Sequence, residues 1–398
     1  MKKYLILGLK KSGIAAAFFA LHKKIDIICF DDNLENNSKI ENLKNNNVVV
    51  TNDISKINLN KICTIIKSPG VSNNHEIIKK AKINNIEIIS EIEFGFKYMQ
   101  NKCIAITGTN GKSSLTTLIT HILNENNIQA ISLGNIGLPL TQYLINPKEE
   151  IVVLELSSFQ LENIYSKKVD IACITNIEED HLDRYDSFLS YANSKLNILK
   201  ILKNDFLFFT TKKVKDEFNL KKANLCIDDI FDFAKKILKS FKIDFAKAIK
   251  TFKNLEHRLE LIYDRNEIKI YNDSKSTNIN SVIYALKKIK RCDILILGGY
   301  DKGNSFTILN KFITNKIRYT IAIGDTRFKI VKELKKNKVE IINNFDIAIN
   351  RAIMLSKKGD TILFSPGCSS FDMFKNFEHR GDEFKKIVSQ ILKGEKKL

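Results

Sequence analysis

No apolar run in this 398-residue chain approaches the ~18–20 residues needed to span a bilayer, which argues against a transmembrane helix. The basic, briefly apolar start, Met1 to Gly8, has no small-residue cleavage site and runs straight into glycine-punctuated sequence, so it reads as a first β-strand rather than a leader. The seven cysteines (Cys29, Cys63, Cys103, Cys173, Cys226, Cys292, Cys368) form no CxxC pair and are odd in number, which argues against a zinc ribbon or a disulfide framework. Five lie in or beside apolar, strand-like runs, where thiols pack as small hydrophobes. A reducing cytoplasm fits. Arginine is scarce, with eight among 64 basic residues, although the net charge is +19. Nucleic-acid surfaces lean on the planar arginine fork as well as on lysine, and no arginine–aromatic cluster occurs here. The excess reads as lysine spread over solvated faces.

What is present is 44% hydrophobic and 27% charged residues, enough for two to four domains with their own cores. Short β-rich runs alternate with helical stretches in three rounds, each opening on a strand and a glycine turn. Strands are expected at 4–7, 25–30, 48–50, 62–66 and 86–89, then at 103–107, 151–155, 171–175 and 206–210, then at 268–271, 294–297, 319–323 and 361–364. Helices are expected from about 14 to 22 and from 115 to 123. The fold class is α/β, with three domains of mostly parallel sheet flanked by helices: 1–97, 98–256 and 257–398. The first and last read as Rossmann-like and the middle one as a P-loop ATPase. No internal repeat accompanies the alternation.

The second round carries the chemistry. Gly108, Thr109, Asn110, Gly111, Lys112, Ser113 and Ser114 follow an apolar strand and precede a helix. Glycines let backbone N–H groups turn towards a phosphate, and the helix N-terminus adds partial positive charge. Lys112 is placed to reach the terminal phosphates and Ser113 to ligate Mg²⁺. The spacing is a shortened G-x-x-G-K-S. Parallel sheets bind ligands beyond the carboxyl ends of their strands, which brings Glu155, at the end of 151–155, and His181, shortly after 171–175, towards the same phosphates. Together they are candidates for a metal site, with Asp180 behind them.

These residues, with Asn135-Ile136-Gly137, Glu155–Leu161 and Asn176–Tyr185, resemble the ATPase domain of the Mur ligases, which join an amino acid to a UDP-sugar peptide in peptidoglycan synthesis. Tyr271–Asn278, Leu297-Gly298-Gly299 and the long segment Ser365–Gly381 resemble the branch that adds D-glutamate to UDP-N-acetylmuramoyl-L-alanine. The resemblance implies an ATP-dependent ligase working through an acyl phosphate, with ATP as co-substrate and two Mg²⁺ ions. It implies metal ligation by Ser113, Glu155, His181 and Lys195, the last as a CO₂-derived carbamate. Lys112, His181 and Lys195 are the implied catalytic groups. Arg258, Asp273 and Lys275 would border ATP, while Thr277, Lys302, Ser370 and Phe377 would form the D-glutamate pocket.

In the first round, Gly8-Leu9-Lys10-Lys11-Ser12-Gly13 followed by Asp31 is an incomplete dinucleotide fingerprint, because Lys10 stands at the central glycine position. A nicotinamide site is therefore not expected. By resemblance, Gly8, Lys10, Lys11, Ser12 and Asp31 hold the UDP group, Ser68, Pro69 and Gly70 wall it, and Asn135 and Ser157 contact the substrate. One departure concerns the adenine side, where the family usually has His-Asn-x-x-Asn. Here Ala223-Asn224-Leu225-Cys226-Ile227 leaves only Asn224 as a candidate, in a stretch from 211 to 240 that looks compressed. The implied partners are UDP-N-acetylmuramoyl-L-alanine, D-glutamate and ATP, with no nucleic acid, no membrane and a monomeric chain. A Mur or folylpolyglutamate-type ligase of other amino-acid specificity, a basic P-loop nucleic-acid binder and a non-catalytic paralogue are the competing readings.

Overall fold

The computed structural model describes residues 2–394 except 36, 182–183, 254, 266, 304, 314–316 and 336–337, with the backbone alone at 204–206. The described residues form seventeen strands in three sheets. The first holds β1 (Lys3–Leu7), β2 (Ile27–Phe30), β3 (Val49–Thr51), β4 (Ile62–Lys67) and β5 (Glu87–Ser90), all parallel, in the order β3-β2-β1-β4-β5. The order reverses between β1 and β4, so the loops leaving these two strands border one crevice.

The second sheet holds β6 (Cys103–Thr107), β7 (Ala130–Gly134), β8 (Ile151–Glu155), β9 (Val169–Ile174), β10 (Leu202–Thr211) and β11 (Asn224–Cys226). The order is β11-β10-β9-β6-β8-β7, again parallel throughout. Every residue of β6 is buried, as expected of a central strand covered on both faces by helices. In the third sheet, β12 (Glu260–Arg265) pairs antiparallel with β13 (Ile268–Asn272). The other members, β14 (Ile294–Gly298), β15 (Tyr319–Ile323), β16 (Val339–Ile341) and β17 (Thr361–Phe364), are parallel, in the order β12-β13-β17-β14-β15-β16.

The α/β class with mostly parallel sheets is thus what the structure contains. Two details differ from the sequence reading. Strands β7, β11, β12 and β16 were not anticipated, and all four are sheet edges, where a strand has one neighbour and needs no continuous apolar run. The third round also lacks a glycine turn after its opening strands: β13 runs into Asp273-Ser274, and the glycines follow β14 instead. Six of the seven cysteines are buried, and burial pushes the Cys29 thiol up to about 12.

Packing divides the chain into two compact units. One comprises the residues up to Glu179 with Arg184–Phe252, and so both of the first two sheets; the other comprises Asp180 and His181 with the chain from Lys253 onwards. No helix among the described residues is long and apolar enough to cross a membrane.

Candidate active site

The loop between β6 and the helix Lys112–Glu125 sits at the centre of the second sheet, between the ends of β8 and β9. Gly108 has φ +148°, and a Cβ there would lie 2.0 Å from Thr175 Oγ1, so no side chain fits. The loop is laced to the β9 end. Thr109 N and Asn110 N donate to Asn176 O and Oδ1 at 2.9 and 2.8 Å, and Thr175 Oγ1 donates to Asn110 O at 2.7 Å. Thr109 Oγ1 lies 3.0 Å from the Tyr191 hydroxyl. Gly111, left-handed at φ +83°, caps the helix.

Two lysines cover the loop's carbonyls. Lys112 Nζ donates to Gly108 O and Thr109 O, both at 2.8 Å, and the buried Lys195 Nζ donates to the same Gly108 O at 2.7 Å. Lys195 stands in the last turn of the helix Phe188–Leu196, with its ammonium 4.7 Å from the Tyr191 ring centroid. Glu155, at the end of β8, pairs in register with Ile106 of β6, which places it beside the start of the loop. It is fully buried; Oε1 accepts from Asn135 Nδ2 at 2.6 Å, while Oε2 is buried without a hydrogen-bond partner among the described residues. A buried, ionisable oxygen left unpaired is costly unless a cation completes it. Ser113, also buried, lies in the first turn of the helix Lys112–Glu125.

The crevice of the first sheet is built differently. Gly8 has φ +89°, and a Cβ there would meet Val71 and Ser68 at under 3 Å. Ser68 Oγ donates to Gly8 O at 2.7 Å. The Asp31 carboxylate accepts from Leu9 N at 2.5 Å and Asn33 N at 2.9 Å, so it shapes the loop itself. Lys10 and Lys11 are exposed at the start of the helix Lys11–His22, followed by Ser12, and Lys11 Nζ reaches Gly137 O at 2.6 Å. Asn135, Gly137 and Ser157, on the second sheet's loops, therefore belong to the same compact unit as this crevice. Ser157 donates through N and Oγ to Gln160 Oε1, which closes a tight turn after β8.

In the second unit, the buried Asp273 accepts from Leu259 N and Ser365 Oγ at 3.1 and 2.8 Å; burial pushes its carboxyl up to about 6, against the pull of Arg258. Arg258 Nε is buried without a hydrogen-bond partner among the described residues. Lys275 Nζ stands 5.2 Å from the Phe377 ring centroid, bringing an ATP candidate and a D-glutamate candidate together. Thr277 lies between Ser276, whose carbonyl accepts from Gly367 N, and Asn278, which caps the helix Ile279–Lys288. Lys302 Nζ is 3.8 Å from Asp180 Oδ1, and Asn278 Nδ2 donates to Asp180 Oδ2 at 3.1 Å. Burial opposes charge on Asp180, yet His181, Lys302 and Asn278 hold its carboxyl below the usual range. His181 adopts the left-handed φ of +56° that non-glycine residues rarely take. Leu182 and Asp183 of that segment lie outside the described residues. Ser370 is buried beyond β17, and its carbonyl caps the following turn.

Several structural partners were not singled out from sequence. Arg380, fully buried, donates to Ser274 Oγ, Ser274 O and Cys368 O, tying the loops after β13 and β17. Burial lowers its guanidinium to about 10, still charged at neutral pH. The segment Asn376–Gly381 was legible as a motif, but not the loops it spans. Asn224, the adenine candidate, donates to Phe208 O within its own sheet at 3.1 Å.

The comparisons with known proteins match this arrangement along the chain. The MurD-like N-terminal domain of Mur ligases matches residues 2–90, the Mur ligase middle domain 106–301, and the Mur ligase glutamate ligase domain 257–368. A UDP-N-acetylmuramoylalanine–D-glutamate ligase from Protochlamydia amoebophila is 38% identical, covering 98% of both chains. One from Caldicellulosiruptor bescii is 32% identical over the same shares. Among solved structures, Thermotoga maritima MurF in complex with ADP aligns with TM-score 0.62 at 13% identity over 98% of each chain. Thermotoga maritima UDP-N-acetylmuramate–alanine ligase aligns at 0.60 and 14%, covering 98% of this chain and all of that one. With three family models covering most of its length and full-length relatives above 30% identity, this chain belongs to the Mur ligase family.

Proposed function

We propose that this chain catalyses the ATP-dependent addition of D-glutamate to UDP-N-acetylmuramoyl-L-alanine, in peptidoglycan precursor synthesis in the cytoplasm, acting as a monomer. The acceptor's carboxylate attacks the γ-phosphorus of ATP and ADP leaves. The D-glutamate amine then attacks the acyl carbon of the acyl phosphate, a proton departs from the amine, and phosphate leaves from a tetrahedral intermediate. Both steps concentrate negative charge, so fixed cations and N–H donors do most of the catalytic work.

One observation carries the reading: Lys112 and Lys195 converge on the Gly108 carbonyl at 2.8 and 2.7 Å, at a loop flanked by the buried Glu155. The unpaired Glu155 Oε2 and the neighbouring loop hydroxyl suit a hard cation. Bound Mg²⁺, two ions in the proposal, would neutralise phosphate charge, with Ser113, Glu155, His181 and carbamylated Lys195 as its ligands. The lysine pair supports the carbamate as well. Two ammonium groups on one carbonyl oxygen repel each other, and converting one to an anion makes the pair attractive. The Lys195 ammonium first gives up a proton; addition of CO₂ to the resulting amine then forms the N–C bond and releases a second proton.

Gly108, Thr109, Asn110, Gly111, Lys112, Ser113 and Ser114 would hold the phosphates, with Arg258, Asp273 and Lys275 also on ATP. The UDP group is assigned to Gly8, Lys10, Lys11, Ser12, Asp31, Ser68, Pro69 and Gly70, with Asn135 and Ser157 on the substrate. The D-glutamate carboxylates fall to Lys302, Thr277 and Ser370, beside Phe377. We read the three sheets as three domains, 1–97, 98–256 and 257–398, one for each substrate. Phosphate release with ATP, Mg²⁺ and UDP-N-acetylmuramoyl-L-alanine tests the reading. It should require D-glutamate, with L-glutamate or no amino acid giving background; equal release without D-glutamate refutes it.

A further inference from the structure

The loop Pro69-Gly70-Val71 leaves the first sheet after β4, and every one of its carbonyls is held by a cation. Arg184 Nη1 donates to Pro69 O and Gly70 O at 3.2 and 3.3 Å, and Arg184 Nη2 donates to Val71 O at 3.3 Å. Lys67 Nζ donates to Val71 O at 3.1 Å and to Glu162 Oε2 at the same distance. Glu162 is shared further, by Asn73 Nδ2 at 3.0 Å and the Tyr185 hydroxyl at 2.9 Å. The Arg184 guanidinium lies 4.3 Å from the Phe159 ring centroid, and Phe159 stacks on Tyr185 at an interplanar angle of 4°. Behind this network is a polar cavity of about 360 Å³, bordered by Asn73, Glu162, Arg184 and Asn193.

A planar fork stacked on an aromatic face loses little freedom when it takes up several carbonyls, which a lysine at that place would not reproduce. The loop also needs such a hold. A Cβ at Gly70 would meet nothing within 4 Å, so the loop is open on that side. With the described peptide bonds trans, seating Pro69 O on Arg184 turns the Gly70 N–H to the opposite side.

We infer that Arg184, seated on Phe159, is a positioning residue that sets the conformation of the 69–71 loop and thereby the affinity for the UDP-bearing substrate, without touching the transferring groups. The substrate half of this inference rests on the function proposed above; the loop half does not. Hydrogen exchange of the intact protein, followed at residues 68–73, decides the loop half. Arg184→Lys should speed exchange there about tenfold, the equivalent of losing one good charged hydrogen bond, with the β1 and β6 amides unchanged. Unchanged exchange at 68–73 overturns the inference, whatever the enzyme's substrate.

Steady-state kinetics decide the other half. In Arg184→Lys, KM for UDP-N-acetylmuramoyl-L-alanine should rise about tenfold, while KM for ATP and D-glutamate and kcat stay within about twofold. Phe159→Leu, which keeps the fork and removes its seat, should give a smaller shift of the same kind. A loss spread evenly over all three substrates, or confined to kcat, overturns the positioning role. If the wild type turns over no UDP substrate while exchange responds, the functional reading fails and the clamp stands.

Discussion

Two glycine loops leave the central strands of two parallel sheets, and they are wired in opposite senses. After β1, the loop's N–H at Leu9 is taken by a carboxylate and its Gly8 carbonyl by a serine, so the loop is closed on itself and its lysines stay exposed. After β6, the carbonyls of Gly108 and Thr109 are taken by two lysines, so positive charge gathers around the loop. The same topology thus yields a loop closed on itself with its lysines turned outward in one place, and a loop whose own carbonyls collect two lysine side chains in the other. The difference teaches that position in the fold nominates a site, while the side chains arriving from distant strands decide its chemistry. A binding wall needs form; phosphoryl transfer needs charge.

The comparison can be broken most directly at Lys195. If the cradle depends on converting that amine into an anion, Lys195→Ala should cut kcat by about 10³-fold or more, and an added short carboxylic acid should restore part of it. Full activity of the unrescued variant refutes the carbamate. A smaller effect is expected at Asn135, whose amide holds Glu155 Oε1. Asn135→Ala should raise the Mg²⁺ concentration for half-maximal activity about tenfold, read by metal titration; an unchanged titration separates Asn135 from the metal site.

At the first loop, Asp31→Ala leaves two backbone N–H groups without their acceptor. The expected result is a several-fold rise in KM for the UDP substrate and about 1–2 kcal/mol of lost stability, with kcat within twofold, measured by kinetics and urea unfolding. A collapse of kcat instead would make the two loops alike.

An effect on stability alone, with none expected on turnover, concerns the helix Glu91–Phe96, which follows β5. Glu91 accepts from Thr141 N and Oγ1, both at 2.6 Å, and Glu93 accepts from Tyr165 N, Ser166 N and Ser166 Oγ. These bonds tie the chain after the first sheet to loops of the second within one compact unit. Burial pushes the Glu91 carboxyl up to about 7, despite the Thr141 hydrogen bonds. The folded state therefore holds the proton more tightly than the unfolded chain, whose carboxylate titrates near 4.5. The penalty is complete above about pH 7 and disappears as pH falls towards the unfolded value, so this group makes the fold less stable on going from pH 5 to 8. Glu91→Gln should flatten that part of the stability–pH profile by a few kcal/mol at most, followed by urea unfolding at each pH. An identical slope in the variant removes Glu91 from the account.

The strand, glycine–lysine loop and helix at 103–125 were legible because their information is local. Glycines, lysine and serine within seven positions, between an apolar strand and an amphipathic helix, leave few alternatives. Glu155 was legible for a related reason: it ends an apolar run, and strand ends in parallel sheets face the ligand side. The four unanticipated strands were not legible because an edge strand is set by the neighbour it pairs with. Arg184 stood in view within a family segment, but its partners Pro69, Gly70 and Val71 lie more than a hundred positions away, and no spacing rule reaches that far. The hydrogen bonds of Asp31 were out of reach as well: its oxygens accept from Leu9 N and Asn33 N, a use of a carboxylate that composition and position do not reveal.

By itself, the sequence determined the three-round α/β plan, the glycine–lysine loop after β6 and the family, because these depend on periodicity and short-range motifs that survive without a partner. The tertiary structure alone decided which groups share an oxygen, a carboxylate or a ring. It placed two lysines on Gly108, left one oxygen of Glu155 unpaired, and set Arg184 between Phe159 and the 69–71 loop. Such contacts arise only when strands far apart in the chain become neighbours, and hydrogen bonds act only at about 3 Å between heavy atoms, so the chemistry of the site is fixed by that proximity.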